Sequence, residues 1–104
     1  MKECVKRWLD EQMPGVGDEM LGMIYAEYVE TVKRLVPELL AADLAATDLT
    51  AVDKAAHTLK GNALMVGDQP MADAAIAFRE ALRDGRTAEL GGKLAEMKQL
   101  MEEL

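Results

Sequence analysis

Residues 55–67 read AAHTLKGNALMVG and contain the only histidine of the 104-residue chain, His57. On an α-helix each residue turns about 100° from the one before, so the faces of this segment can be read from its spacing. Relative to Val52, the side chains of Leu59 and Ala63 fall within about 40° and continue an apolar stripe. His57 lies about 140° from Val52. We therefore expect the imidazole to face away from the core.

The neighbours of His57 on that outer face distinguish it from an ordinary surface histidine. Lys60 stands one turn later and places an ammonium group beside the ring. Gly61 occupies a mid-helix position, where glycine costs about 1 kcal/mol relative to alanine. It also removes the side chain that would stand over the imidazole. A neutral imidazole with an open approach and an adjacent cation suits a nucleophile that accepts a phosphoryl group.

The spacing of these residues resembles the signature of histidine-containing phosphotransfer (HPt) domains. That signature is H-[ST]-x-K-G, followed by small residues, a hydrophobic residue and a glycine. In this chain residues 57–61 read HTLKG, and Gly67 closes the pattern. The resemblance covers most of the chain. It implies that His57 carries the phosphoryl group, that Lys60 helps to hold it and that Gly61 leaves room for it.

One departure from the family pattern concerns the helix that follows the signature helix. Many HPt domains carry a glutamate shortly after the second hydrophobic residue of that helix, whereas this chain has Arg79 and Glu80. The resemblance therefore leaves open whether a salt bridge joins this helix to the signature helix.

The resemblance also implies a function, that of a phosphocarrier in a two-component phosphorelay. His57 would carry the phosphoryl group between receiver-domain aspartates, or from a kinase to a receiver. The implied partners are a response-regulator receiver domain, a hybrid histidine kinase, or both. No cofactor is expected on this chain, and the Mg²⁺ of the transfer is expected on the partner receiver. The Gly92-Lys93 pair departs from a P-loop because Leu94 replaces Ser or Thr, so we expect no ATP site and no autonomous kinase activity.

Three outward-facing residues of the signature helix are predicted to contact the partner. Asp53 and Lys54 stand one turn before His57, and Leu64 stands two turns after it. Leu64 would supply apolar contact, while Lys54 and Lys60 would complement the acidic site of a receiver. Leu64 could instead be covered by the following helix, and the sequence leaves both possibilities open.

Two other functions are compatible with this chain. A helical adaptor or inhibitor would bind a signalling partner without phosphorylation of His57, but the intact signature at His57, Lys60 and Gly61 argues against it. The phosphoacceptor domain of a chemotaxis-type histidine kinase would carry the same signature within a longer chain. The initiating Met1 and a last residue, Leu104, that belongs to a core stripe favour a standalone protein.

Composition indicates one all-α domain that spans residues 1–104. Half of the residues are hydrophobic, with alanine, leucine and methionine in excess and few β-branched residues. The formal net charge of −7 argues against a nucleic-acid partner. The sequence has no signal peptide and no apolar run of about 18 residues, so we expect a cytoplasmic protein without membrane contact. A monomer is expected because every apolar stripe can be buried within one bundle. With one cysteine, Cys4, and one histidine, we expect no disulfide and no metal site.

Helical periodicity predicts an antiparallel up-down four-helix bundle with a short additional N-terminal helix. The short helix covers residues 2 to about 12 and buries Trp8. The four bundle helices are expected at residues 18 to about 43, 48–66, 68–85 and 87–104, with the start near Asp48 placed to within two residues. Pro37 predicts either a kink near residues 33–36 or two abutting helices.

The ends of these helices carry recognisable capping signals. Gly67 suits the left-handed position after the signature helix, and Gly85 ends the next helix. Side-chain caps are expected at the start of each bundle helix: Asp18, Thr47 or Asp48, Asp68, and Thr87.

Overall fold

The computed structural model describes residues 1–104 and contains five α-helices and no β-strand. The helices are α1 (Glu3–Gln12), α2 (Asp18–Ala41), α3 (Thr50–Met65), α4 (Gln69–Arg83) and α5 (Thr87–Glu102). The all-α class and the number of helices are therefore confirmed. None of the helices is long and apolar enough to cross a membrane.

Helices α2 to α5 pack as a ring of neighbours, in which α3 and α5 each contact both α2 and α4. The start of α2 meets the end of α5, because the Tyr25 hydroxyl donates a hydrogen bond to the Leu104 carbonyl oxygen at 3.1 Å. The first turns of α3 meet the later turns of α4 through an ion pair between Asp53 and Arg79. The molecule is an elongated helical bundle with extents of 48 × 21 × 19 Å.

The apolar stripes that periodicity predicts form a single core of 21 buried side chains. On α3 the buried residues are Ala56, Leu59 and Ala63, the face opposite to His57. Some residues of the predicted stripes are half-buried at the margin of the core: Ile24, Leu49, Val52, Ala55, Leu82, Met101 and Leu104. The core therefore fixes which side of α3 faces solvent.

Helix α2 continues through Pro37 as a single helix, so the predicted alternative of two abutting helices is wrong. Pro37 itself is exposed, while Val36 and Leu39 on either side of it are buried. Burial of these neighbours compensates for the backbone hydrogen bond that a proline removes. The helix ends at Ala41 rather than near Asp43.

Three predicted side-chain caps are wrong, those of α2, α3 and α5, although α3 begins within two residues of its predicted start near Asp48. Asp18 and Thr87 are the first helical residues of α2 and α5 instead of their N-caps, and neither helix has a side-chain cap. A carboxylate in the first turn still favours α2 through the helix dipole. Helix α3 begins at Thr50, because the Asp48 carboxylate accepts hydrogen bonds from the Thr50 backbone N–H at 3.0 Å and hydroxyl at 2.7 Å. This local turn places Asp48 outside the helix.

Helix α1 packs on the bundle with Val5 and Leu9 fully buried. Trp8 is half-buried, not buried as predicted, because its side chain lies at the surface against the α3–α4 turn. A Cβ atom on Gly67 would collide with the Trp8 Cβ and Cγ atoms. Gly67 has a φ of 73°, which is the left-handed conformation predicted for this position.

Asp68 caps α4 as predicted, since its carboxylate accepts a hydrogen bond from the Met71 backbone N–H at 3.5 Å. The side chain is fully buried and also accepts hydrogen bonds from the Tyr28 hydroxyl at 2.6 Å and the Lys2 ammonium at 3.0 Å. Burial, together with the Asp68 carboxylate, raises the pKa of Tyr28 well above its ordinary value, so the phenol stays a donor. We call Asp68, Lys2 and Tyr28 the Asp68 cluster. It ties the residue before α1 to α2 and to the start of α4.

Candidate functional site

His57 lies at the middle of α3 and is exposed to solvent. The opposite face of the same helix is buried in the core, so the outward orientation predicted from the helical spacing is confirmed. A histidine held in this way is accessible to a second molecule, while packing of the opposite helix face against the core fixes the position of α3.

The approach to His57 along α3 is open and flanked by positive charge. A Cβ atom placed on Gly61 would meet no atom within 4 Å, so the space one turn after the histidine is empty. Lys54 is exposed and Lys60 is half-buried, and neither forms an ion pair. Both ammonium groups are therefore free to bind an incoming anion.

Arg79 of α4 reaches across the helix pair to two side chains of α3. Its Nε atom donates to Asp53 Oδ1 at 2.9 Å and its Nη2 atom to Asp53 Oδ2 at 3.3 Å. Its Nη1 atom lies 3.1 Å from Nδ1 of His57. A guanidinium carries five N–H donors in a planar fork, so one side chain can bind a carboxylate and an imidazole together. We call His57, Asp53 and Arg79 the His57 cluster.

This ion pair is the salt bridge between the two helices that the family resemblance left open. Arginine supplies it from α4, at the place in the chain where the resemblance anticipates a glutamate. The hydrogen bonds from Arg79 hold the pKa of the Asp53 carboxyl below its ordinary value, and Asp53 in turn raises the pKa of Arg79. Arg79 is therefore a permanent cation that can only donate hydrogen bonds.

The His57 cluster is open to solvent. The side chains of Arg79 and Asp53 keep 31% and 46% of their surface exposed. A groove of about 470 Å³ adjoins both of them and is also lined by Thr50, Leu82 and Arg83. The guanidinium therefore has room to move without disturbing the core.

Leu64 is 43% exposed, so the following helix leaves much of its side chain uncovered. Met65 beside it is exposed as well. Leu64 also borders a shallow cleft together with Trp8 and Arg7 of α1. The apolar surface predicted for partner contact therefore exists two turns from His57.

Arg79 is the residue of this site that the sequence reasoning missed. It lies 22 residues from His57, and its contact depends on how two helices are aligned. The only sequence signal was that an arginine stands where the family pattern has an acid. Asp53, predicted for partner contact, has its carboxylate engaged by Arg79, while Lys54, Lys60 and Leu64 remain accessible.

The site brings together an exposed imidazole, three cationic side chains and an open approach. No group of three or more metal-ligating side chains occurs in the molecule. These features define a helical domain that exposes one histidine among positively charged side chains.

Comparison with protein families identifies the group to which the chain belongs. A family model for the Hpt domain matches residues 19–104. Since the match covers most of the chain, this protein belongs to the Hpt domain family. The match contains every residue of the His57 cluster and begins after α1. No curated protein and no solved structure matches the chain.

Proposed function

We propose that this protein is a histidine phosphotransfer protein of a two-component phosphorelay. His57 carries a phosphoryl group between the aspartates of receiver domains, or from a hybrid histidine kinase to a receiver. The observation that carries the proposal is the exposed His57 of an Hpt-family helix, beside the empty space at Gly61. The protein acts as a carrier and returns to its starting state after each transfer.

The transfer requires little from this chain beyond a nucleophile and its positioning. A ring nitrogen of His57 uses its lone pair to form the N–P bond as the P–O bond of the receiver's aspartyl phosphate breaks. The electron pair of that bond goes to the receiver carboxylate. Lys60 attracts the phosphoryl oxygens, and Gly61 leaves space for them. The Mg²⁺ of the reaction is proposed to belong to the receiver, and docking supplies most of the rate enhancement by orienting the two groups.

The docking surface that we propose runs along the exposed face of α3. Leu64 supplies apolar contact, and Lys54 and Lys60 face the acidic site of the receiver. Asp53 contributes through the guanidinium that it holds. A monomer in the cytoplasm suits this role, because the partner domains of a phosphorelay act there.

We also propose that α2 to α5 form an antiparallel up-down bundle. Contacts between the start of one helix and the end of its neighbour support this order, namely Tyr25 with Leu104 and Asp53 with Arg79. The short α3–α4 and α4–α5 connections support it as well.

Phosphotransfer from a labelled receiver tests the proposed function. The wild-type protein and the His57→Gln variant are incubated with a panel of phosphorylated receivers and autophosphorylating hybrid kinases. Acid-labile label on the wild type alone is expected, because a phosphoramidate bond is hydrolysed in acid. If a folded wild-type protein stays unlabelled across the panel, the carrier role is wrong. A helical adaptor that uses the same face of α3 then becomes the better explanation.

A further inference from the structure

The contact between Arg79 and His57 determines where the imidazole proton lies. A guanidinium has no acceptor atom, so Nδ1 of His57 must accept the hydrogen bond with its lone pair. A neutral imidazole carries one N–H, which then has to be on Nε2. When the ring is neutral, the contact with Arg79 is therefore compatible only with the Nε2–H tautomer.

This tautomer is unsuited to attack on phosphorus. The two nitrogens lie on opposite sides of the ring, so Nε2 points away from α4 when Nδ1 faces Arg79. Nε2 has no free lone pair while it carries the proton, and the lone pair of Nδ1 is bound by Arg79. Neither nitrogen of the resting site is a free nucleophile.

We propose that Arg79 is a positioning residue that acts as a latch on His57. It holds the Nε2–H tautomer in the free protein and releases the ring when an anionic phosphoryl group draws the guanidinium away. This inference rests on the proposed phosphotransfer function and adds a step that precedes the chemistry.

The surroundings of the latch favour its release by a phosphoryl group. Arg79 is partly exposed beside an open groove, and its planar fork suits two phosphoryl oxygens as well as it suits a carboxylate. Its departure also frees the Asp53 carboxylate. Asp53 stands one turn before His57 and is the only carboxylate in residues 53–61. On α3 it is therefore the carboxylate placed to accept a hydrogen bond from a proton on Nδ1.

The proton balance of the released state is simple. Nε2 gives its proton to solvent, and Nδ1 takes one from solvent and donates it in a hydrogen bond to Asp53. The Nε2 lone pair is then free to form the N–P bond as the aspartyl P–O bond breaks and its electron pair returns to the receiver. The proton on Nδ1 stays in place during the transfer.

Nitrogen NMR of the full-length protein tests the latch without any partner. Because His57 is the only histidine, ¹⁵N-histidine labelling gives one pair of ring nitrogen signals. Their couplings to the ring C–H protons identify the tautomer at a pH where the ring is neutral. The wild type is expected to show a larger share of the Nε2–H form than the same protein unfolded in urea. An equal or smaller share would overturn the proposal.

A charge-swapped variant supplies the matched comparison. Asp53→Arg combined with Arg79→Glu keeps an ion pair between α3 and α4 but presents an acceptor to the ring from α4. This variant is expected to favour the Nδ1–H tautomer, whereas Arg79→Lys, which keeps a donor, is expected to keep Nε2–H. An unchanged tautomer in a charge-swapped variant with native circular dichroism would overturn the proposal. The wild-type and Arg79→Lys spectra test it even if the charge-swapped variant does not fold.

A small phosphodonor connects the tautomer to the reaction. Phosphoramidate needs no docking surface, so it reports on the nucleophile alone. The charge-swapped variant is expected to become labelled about tenfold faster than the wild type. Equal rates despite an exchanged tautomer would overturn the latch and leave the carrier role intact. If neither phosphoramidate nor any receiver labels any variant, the carrier role itself is wrong, while the nitrogen spectra still report the tautomer.

Discussion

Two clusters of the same chemical type lie at different places in the bundle, one at the start of α4 and one between α3 and α4. In the Asp68 cluster a carboxylate binds a lysine and a tyrosine, and in the His57 cluster a carboxylate binds an arginine that also contacts a histidine. The ion pairs are almost equally short, at 3.0 Å and 2.9 Å. Their exposure differs greatly. The side chains of Asp68 and Lys2 keep 0% and 15% of their surface, whereas those of Asp53 and Arg79 keep 46% and 31%.

The difference in burial separates a structural ion pair from one that can change partners. A buried carboxylate that loses its cation cannot recover the lost interaction from water, so the Asp68 cluster has one stable arrangement. An exposed pair is worth little in free energy because water competes with it, so the His57 cluster can open at small cost. Opening is what the proposed latch requires. The distance between the charges alone does not distinguish the two roles.

The largest effect is expected from Asp68→Ala. This change removes the α4 cap, leaves the buried Tyr28 hydroxyl without its acceptor and leaves Lys2 unpaired. We expect the free energy of unfolding to fall by about 3 kcal/mol. Urea denaturation followed by the fluorescence of Trp8, the only tryptophan, measures it. A loss below about 1 kcal/mol would remove the contrast between the clusters, since the loss of an exposed ion pair lowers the free energy of unfolding by up to that amount.

A smaller loss is expected from Gly67→Ala at the same end of α3. The new Cβ atom would collide with Trp8, and an alanine is strained at the positive φ of this position. Gly85→Ala is the matched control, because Gly85 has a similar φ of 71° but open space around its Cα. Gly85→Ala is expected to cost about 1 kcal/mol, and Gly67→Ala about 2 kcal/mol or more. Equal losses in the two variants would show that α1 does not rest tightly on the α3–α4 turn.

Asp53→Ala is expected to cost less than about 1 kcal/mol at pH 7, because the ion pair that it removes is exposed. The pKa of Asp53 is lowered in the folded protein, so its contribution is complete above the ordinary aspartate pKa of about 3.9 and is lost as the pH falls. Wild type and variant should therefore become equally stable, within about 0.3 kcal/mol, at a pH below the lowered pKa of Asp53. Urea titrations at both pH values measure the difference. A gap that persists in acid would mean that Asp53 acts through packing instead of charge.

The smallest effect on stability is expected from Leu64→Glu, because 43% of the Leu64 side chain is already exposed. We expect a change within about 0.5 kcal/mol, together with slower transfer from a cognate receiver. Leu40→Glu on α2 is the control, since Leu40 is 42% exposed and lies on another helix. Transfer rates that are the same in both variants would exclude Leu64 from the docking surface.

Helical periodicity predicted most of the fold because the apolar faces of α2 to α5 repeat every 3.6 residues. Local signals were equally informative where one residue decides the backbone. Gly67 has the predicted left-handed conformation, and Asp68 caps α4. Asp18 and Thr87 were predicted as N-caps but are the first helical residues, an error of one residue. Polar residues such as these are common both at the N-cap and in the first turn, so the sequence does not fix the exact start.

Contacts between distant segments could not be predicted in this way. Lys2 and Tyr28 lie 66 and 40 residues from Asp68, and Arg79 lies 22 residues from His57. These contacts depend on the rotation and offset of whole helices, which sequence spacing does not encode. The histidine was therefore identified from its own helix, whereas the side chain that binds its ring was visible only in the structure.

The packing of α1 has a consequence for anyone who wishes to move this domain between proteins. The match to the Hpt family begins at residue 19, yet Val5 and Leu9 are fully buried and Lys2 neutralises Asp68. A graft that begins at residue 19 would lack α1. The apolar surface of the bundle that Val5 and Leu9 cover would then be exposed, and the Asp68 carboxylate would lose its ion pair with Lys2. A graft that keeps the contacts of α1 therefore begins at Lys2, before the residues that the family model matches.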